Sequence, residues 1–480
     1  MPAGDFGLAV GLQYMTDEIA DTPGIESLSG NNWDGSTGEG AGTEYQAARV
    51  FGTYGKTDTQ AAYLEAAIPL LAGKPGADFL EFSASARYTK VSIDAVPGTD
   101  ATLYDDADPG SPGRDYSDTT YKIGLNWQIN DNVRFRAGQG TSFRTPALFE
   151  LYRKNFHTGR GQSSTDPCWE WGAALEARDI PQYVADNCAA EGIPDDIAST
   201  IYMDIVTGGG AGTLEPETSE SNSIGVVFTA KDIDFRMSVD YWDLEVEDQI
   251  GTTSAVEIIE GCYYSDTYPT DQLCGLFQRL QDPLPMEQYR ITDVQASYIN
   301  LDIQRTAGWD IEASYAVPLP NNYDLLIDTS HTITTTKETE SAVGDITSRK
   351  GWAGNPEWVG NLTVRLNKGP WSAAWRTTYI DNTDNNREGI DTFDSWIGFS
   401  GEEETYYFSR TLDSRIYHNA SVNYLWGDGW EANLSITNIT DELPPRASGG
   451  AGIRIEGYGA FHSQYDWKGR RYGLNIKKVF

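Results

Sequence analysis

The sequence predicts an all-β chain, an antiparallel β-barrel that crosses a membrane. Three observations point there. Segments of alternating polar and apolar residues recur from one end to the other, the period-two mark of strands with one buried face. The connections between them alternate strictly between short turns and long segments. Composition agrees: the 480 residues include 14 Trp, 27 Tyr and 49 Gly, with 12% aromatics, which suits interfacial aromatic belts and many turns. Without a run of about 18 apolar residues the chain holds no membrane helix. Its mean hydropathy of −0.47 fits a barrel, where only alternate residues face lipid.

About fourteen strands follow from the alternation. They start near 5, 57, 78, 116, 132, 216, 233, 294, 323, 356, 371, 413, 430 and 464. In the segment 430–437, Trp430, Ala432, Leu434 and Ile436 oppose Glu431, Asn433, Ser435 and Thr437. In 78–90, Leu80, Phe82, Ala84, Ala86 and Tyr88 oppose Glu81, Ser83, Ser85 and Arg87. Short connections carry turn chemistry: Ala72–Ala77, Asn130–Asn132, Lys231–Asp232, Pro318–Asn322, Asn367–Pro370 and Gly427–Gly429. The long ones run over 15–56, 93–115, 145–215, 249–293, 338–355, 384–412 and 446–463. Antiparallel strands across a membrane require this rhythm, with turns on one side and loops on the other. A propeller would repeat a motif every 40–50 residues or so, and none recurs. Sandwich strands run about five or six residues, shorter than most of these. A short helix is expected at Glu170–Arg178 and its neighbours, with little helix outside the loop at 170–205.

Net charge is −36, from 71 acidic and 35 basic residues. Nucleic acid is excluded as a partner, because nothing here neutralises a phosphate backbone. The four cysteines fall in two local pairs, Cys168 with Cys188 and Cys262 with Cys274, inside long polar segments. Local even pairing in loops reads as two disulfides and an oxidising compartment. The four His (His157, His331, His418, His462) are scattered away from the Cys, so no metal centre is read there. No phosphate loop, zinc-protease motif or catalytic constellation occurs, and no enzyme activity, cofactor or metal is assigned. The acidic stretches 104–110 and 381–386 are read as solvated turns rather than calcium loops.

Three stretches carry a family resemblance, and two more carry a weaker one. Val133–Tyr152 contains Ser142-Phe-Arg-Thr-Pro-Ala-Leu-Phe-Glu150, similar to a strand-to-loop signature with Arg, Pro and Glu. Asn433–Pro445 contains Asn438-Ile-Thr-Asp-Glu-Leu-Pro444, similar to a strand end near a barrel's C-terminus. The last strand carries Tyr472, Leu474, Ile476 and Phe480 on one face and ends on an aromatic residue, with Lys478 breaking the row. Weaker similarity lies in Thr306–Ile311 and Leu214–Gly225. Together, in this order, they resemble the TonB-dependent receptors of Gram-negative outer membranes. Physically, Pro146 removes a ladder donor and lets the chain leave the sheet, while Asn438 and Asp441 offer local caps.

The resemblance implies an outer-membrane receptor and transporter that takes up a scarce small-molecule nutrient: a carbohydrate, peptide, vitamin or iron chelate. It implies four partners: membrane lipid, the nutrient, the TonB energising complex acting through a plug domain, and the barrel-assembly machinery, which would read Phe480. Family barrels have 22 strands behind a signal peptide and plug. Residues 1–480 are therefore read as the C-terminal part of such a barrel, with signal peptide and plug absent and the barrel incomplete. The alternative is a passive channel, porin-like or of the fatty-acid type, or an adhesin.

Alternation points Arg87, Arg134, Arg136, Arg236, Arg365 and Arg376 inward. In a chain poor in bases they are expected to meet acidic groups on other strands or, by the resemblance, the plug. Aromatic residues in loops are the candidates for ligand contact, since flat rings stack on sugars or hold apolar groups: Tyr152, Trp169, Trp171, Tyr183, Tyr263, Tyr264, Trp352, Trp396, Tyr406 and Tyr407. The absence of a basic cluster in the loops disfavours a strongly anionic iron chelate.

Overall fold

The computed structural model describes residues 3–21, 53–95, 113–153, 156–197, 202–210, 212–280, 289–340, 346–384, 393–397, 403–407, 411–427, 429–445 and 464–478. Fourteen long strands pair in chain order into one antiparallel sheet: β1 (Gly7–Asp21), β2 (Thr53–Lys74), β3 (Ala77–Ala95), β4 (Arg114–Gln128), β5 (Val133–Arg144), β6 (Glu217–Ala230) and β7 (Phe235–Thr252). The series continues with β8 (Tyr298–Leu319), β9 (Tyr323–Glu340), β10 (Trp358–Lys368), β11 (Trp371–Ile380), β12 (Arg415–Trp426), β13 (Trp430–Thr437) and β14 (Arg471–Lys478). A three-residue strand, Ile346–Ser348, adds to the end of β9. β1 and β14 stand at the two ends of this order, and among the described residues no ladder joins them.

Strand starts agree with the alternation to within a few residues. The largest difference is the last, expected near 464 and found at Arg471. Residues 464–470 are held instead by local bonds: Asp466 accepts from the Lys468 amide at 3.0 Å and pairs with Arg471 at 2.6 Å. Turn chemistry carries the short connections. Asn321 and Asn322 both take the left-handed conformation, as do Gly369 and Gly429, which tight hairpins favour for Asn and Gly.

One face of the sheet is apolar. Phe135, Val226, Val239 and Ile311 stand opposite one another across β5, β6, β7 and β8. Aromatic rings border this face on both sides. At the turn side, Phe228, Phe235 and Tyr315 form a chain with centroids 6.3 and 6.1 Å apart, and Trp371, Tyr424, Trp426 and Trp430 form another. At the loop side lie Tyr241 with Trp309 and Trp358 with Tyr379. From Trp371 to Tyr379 on β11 is roughly 20–25 Å of height once strand rise and tilt are allowed for, the span of a hydrocarbon layer. His418 lies on this face beside Trp375 and meets the Thr377 hydroxyl at 3.0 Å.

Helices are short and confined to connections: α1 (Leu148–Tyr152), α2 (Trp171–Ala177), α3 (Gln182–Ala190) and α4 (Ala255–Tyr264). α2 is the expected one. α4 lies outside the expected region and corrects that reading. Its signal was present in Ser254-Ala-Val-Glu257, where the Ser254 hydroxyl accepts from the Glu257 amide at 3.2 Å and the Glu257 carboxylate accepts from the Ser254 amide at 2.8 Å, a reciprocal cap.

The two faces of β6 give a direct test. Val226→Arg, on the apolar face, should cost about 2–4 kcal/mol in lipid, whereas Ser223→Arg on the polar face should cost about 1 kcal/mol or less. Urea titration of the chain refolded into vesicles measures both. Equal costs would remove the membrane assignment of these faces.

Candidate functional site

The polar face of the sheet presents an open groove of about 600 Å³ lined by Arg136, Arg236, Glu312, Asp328, Asn361 and Arg376, among others. At one end of it Arg136 of β5 reaches across β6 to Asp240 of β7, with both N–H···O distances 2.6 Å. Gly225 lies between them, opposite both residues in the ladders. A Cβ there would stand 1.8 Å from the Asp240 carboxylate, so this bidentate pair needs the glycine beneath it.

All six arginines read as inward lie on this polar face. Their partners are mostly neutral. Arg87 donates to Gln13 at 2.6 Å, Arg134 to Asn126 at 2.6 Å and Arg376 to Asn361 at 3.0 Å. Arg236 lines the groove, and Arg365 stands opposite Leu326 and Ala374. Among the described residues, Arg136 is the one of the six with a carboxylate partner.

At the loop side, two long connections fold into one unit. The connection after β5 contributes α2, α3 and the strands Phe156–Gly161 and Tyr202–Thr207; the connection after β7 contributes α4 and the strand Val294–Gln295. They share one apolar core that includes Val184, Ala185, Met203, Ile258, Ile259 and Val294, and a parallel pairing of Val294–Gln295 with Ile205–Val206 stitches them. Cys168–Cys188 and Cys262–Cys274 are disulfides with Cα separations of 5.5 and 4.8 Å. Both bridges match the pairing read from the sequence, one in each connection.

Arg279 is the centre of this unit. Its side chain and that of Asp166 are each 1% exposed and pair in two bonds, at 2.7 and 2.9 Å. Arg279 also donates to the Tyr263 hydroxyl and the Tyr289 carbonyl, and Tyr263 donates to Glu191. Gln162 donates to Asp166 at 2.8 Å and accepts from the Ile291 amide at 3.0 Å. Burial opposes the Arg279 charge, yet Asp166, together with Tyr263 and Glu191, outweighs it and raises the guanidinium pKa further. Burial holds the Tyr263 hydroxyl well above its usual value and raises Tyr268 to about 12. Asp271 is lowered, first by the Ser265 hydroxyl that donates to it. Nothing local marked this network: Arg279 and Asp166 are 113 residues apart.

The loop aromatics separate into buried and displayed. Tyr152 packs under α1 against Leu151 and Ile93, and Tyr263 sits inside the Arg279 network; both are buried. Trp171 packs on the core and donates to the Ile193 carbonyl at 3.0 Å. Trp169 and Trp352 are half-buried. Tyr183 and Tyr264 are exposed, 48% and 37%, with rings perpendicular and 6.3 Å apart. Trp396, Tyr406 and Tyr407 lie in a hairpin of Phe393–Ile397 with Glu403–Tyr407, and their side chains lie outside the described residues, as do 104–110 and Phe480. Asp381 accepts from the Tyr379 hydroxyl and from the Asn382 amide, and 385–386 lie outside the described residues. Among the described residues no His, Cys, Asp and Glu cluster could hold a metal.

Both strand-end motifs are tethers. Arg144 pairs with Glu150 at 3.0 Å and with Glu217, and Glu150 accepts from the Ala147 amide at 2.7 Å. The first loop is thereby fastened to β6 where Pro146 ends β5. Asn438, buried and left-handed, bonds Glu442 through both ends of its amide at 2.8 Å, and Asp441 accepts from the Arg470 amide at 2.8 Å.

A family model described as TonB dependent receptor-like, beta-barrel, matches residues 3–439. No curated protein matches the sequence. Among solved structures, the copper transporter OprC is similar at 12% identity and a TM-score of 0.53, covering 99% of this chain and 55% of its own. The ferric enterobactin receptor of Pseudomonas aeruginosa, a mutant in complex with enterobactin, is similar at 14% identity and 0.50, covering 99% and 60%. The iron transporter FrpB of Neisseria meningitidis is similar at 12% identity and 0.50, covering 98% and 52%. These likenesses concern the fold, and the chain spans a little over half the length of each protein.

Replacing Arg279 with Met should strand the Asp166 charge in the loop core and cost about 3–5 kcal/mol. Reducing both disulfides should cost about 3 kcal/mol for each loop they close in the chain-entropy model. Limited proteolysis reads either change as new cleavage confined to 156–297, with the strands protected. Unchanged cleavage in both cases would mean that the unit does not depend on them.

Proposed function

The chain belongs to the TonB-dependent receptor β-barrel family, and on that footing we propose that it is the C-terminal barrel portion of an outer-membrane uptake receptor. In this reading residues 1–480 form one barrel portion, completed by further strands and a plug. The loop unit captures a scarce small-molecule nutrient outside the cell. Energy from the TonB complex, passed through the plug, then releases it inward, and the barrel-assembly machinery inserts the chain using the terminal Phe480.

One observation carries this reading: two long connections on one side of the sheet make a single preformed unit, cross-linked by disulfides and centred on a buried ion pair. A passive pore needs loops that leave its mouth open. Order costs entropy, and a fully satisfied buried polar network is a strong rigidifier. Rigid surfaces bind with less entropy left to lose. The polar face supports the same reading, because charged and amide side chains line the groove below the loops.

Substrate class follows only in outline. The similar structures are named for enterobactin, iron and copper. Described basic side chains of the loop unit are Arg160, Arg178, Arg279 and Arg290, with Arg279 buried, against a far larger number of Asp and Glu. A strongly anionic chelate is therefore disfavoured.

Energy dependence is the test. Cells that need this receptor for a limiting nutrient should lose uptake equally when the receptor gene or the energising complex is removed. Uptake that persists without the energising complex would overturn the proposal in favour of a passive channel.

A further inference from the structure

We propose that Tyr183 and Tyr264 form a corner that captures a cationic ligand, one carrying an ammonium or guanidinium group. The inference rests on the reading of the loop unit as the capturing surface and adds the chemistry of what it captures.

The corner is set by the packing of α3 on α4. Val184 and Ala185 of α3 and Ile258, Ile259 and Tyr263 of α4 are buried in the shared core. The adjoining residues Tyr183 and Tyr264 then project at the rim, where their rings meet at 89° and stay open to water. Two perpendicular faces offer a cation the negative side of each ring quadrupole.

Carboxylates accompany the rings. Glu260 lies one helical turn before Tyr264 on α4, which sets both on one face of that helix, and Asp179 lies four residues before Tyr183. Both acids are exposed. Burial raises the Tyr264 hydroxyl pKa, and the charges of Glu260, Tyr183 and Asp179 raise it further. Burial also raises the Glu260 pKa, and the Arg160 charge opposes that rise.

The arrangement selects by charge. An anion would meet two carboxylates and the chain's net charge of −36. A neutral flat ligand could stack on a ring but would gain nothing from the acids. A cation gains from both, and the surrounding field steers it inward at low salt. Aromatic stacking alone therefore does not account for the corner, whereas a cation does.

Titration calorimetry on the complete chain in detergent, at low salt, tests this with tri-arginine as the probe. Tri-glutamate and fully acetylated tri-lysine serve as anionic and neutral controls. Tri-arginine should bind and the controls should not. Combining Tyr183→Ala with Tyr264→Ala should weaken binding roughly tenfold or more, and Glu260→Gln should weaken it several-fold. Tyr202→Ala, an exposed tyrosine elsewhere on the unit, should bind as the parent does. Near-ultraviolet circular dichroism checks that each variant keeps the packed unit. Absence of tri-arginine binding, or binding that the corner variants do not change, would overturn the proposal; the second outcome would assign attraction to the acidic surface at large. The receptor reading is separable, because energy-dependent uptake of an uncharged nutrient would sink the cation inference alone.

Discussion

An amide inside a hydrocarbon layer has no water to bond, and an unpaired one costs several kcal/mol. That constraint organises the chain. Each strand must give its N–H and C=O groups to a neighbour, so the strands follow one another in sequence order through fourteen antiparallel partners. It also fixes which residues can vary. Alternate positions face lipid and are apolar; the others face inward and are free to be polar or charged. Several hairpins that return at once turn on Asn or Gly with positive φ, as at Asn321, Asn322 and Gly369. Where it does not, the loop has left the membrane and can build structure of its own.

The inward positions show what the freedom is used for. Arg136 and Asp240 pair over Gly225, and Gly308 lies under the Trp242 ring, where a Cβ would stand 2.7 Å from it. Each glycine weakens its strand slightly and is kept where a large side chain crosses the neighbouring strand. The outward face uses glycine in the same way at Gly360, where a Cβ would stand 2.4 Å from the His331 ring of the neighbouring strand.

How much of this was legible in the sequence depends on the range of each interaction. Strand positions rest on period two and on turn residues a few positions away, so β9, β11 and β13 begin where the pattern places them. Cys168 with Cys188 and Cys262 with Cys274 are 20 and 12 residues apart, within reach of local reasoning. Asn438 and Arg144 sit in motifs that read correctly as strand ends. Arg279 gave no signal, since its partners come from a different connection. Tyr263 and Tyr264 were equivalent as letters; helix geometry turns one into the core and the other to the rim. The start of β14 was misplaced because Asp466 spends its carboxylate on Lys468 and Arg471 of its own segment and Gln464 bonds the Gly354 carbonyl, and alternation cannot see that.

The loop unit and the sheet are not independent bodies. Leu214, fully buried between them, accepts at its carbonyl from Arg114 at 2.7 Å and from Tyr116 at 2.9 Å. Gly209 and Gly210 donate to the carbonyls of Arg153 and Glu150, and Asn300 ties Glu215 to Asp248. Tyr152, expected in ligand contact, instead packs at this seam with Ile93, Tyr116 and Ile250. Its hydroxyl pKa is pushed up to about 12 by burial and by the nearby Asp94 charge. Ring area that is spent on the seam is unavailable to a ligand. It has a different consequence: a force on the loop unit is delivered to β4, β6 and β8 through packed side chains rather than through slack chain. Two disulfides and a buried ion pair stiffen the unit, and the seam hands that stiffness to the strands whose polar face forms the groove. The loop unit and the lining of the groove are thus mechanically one piece on this side of the sheet.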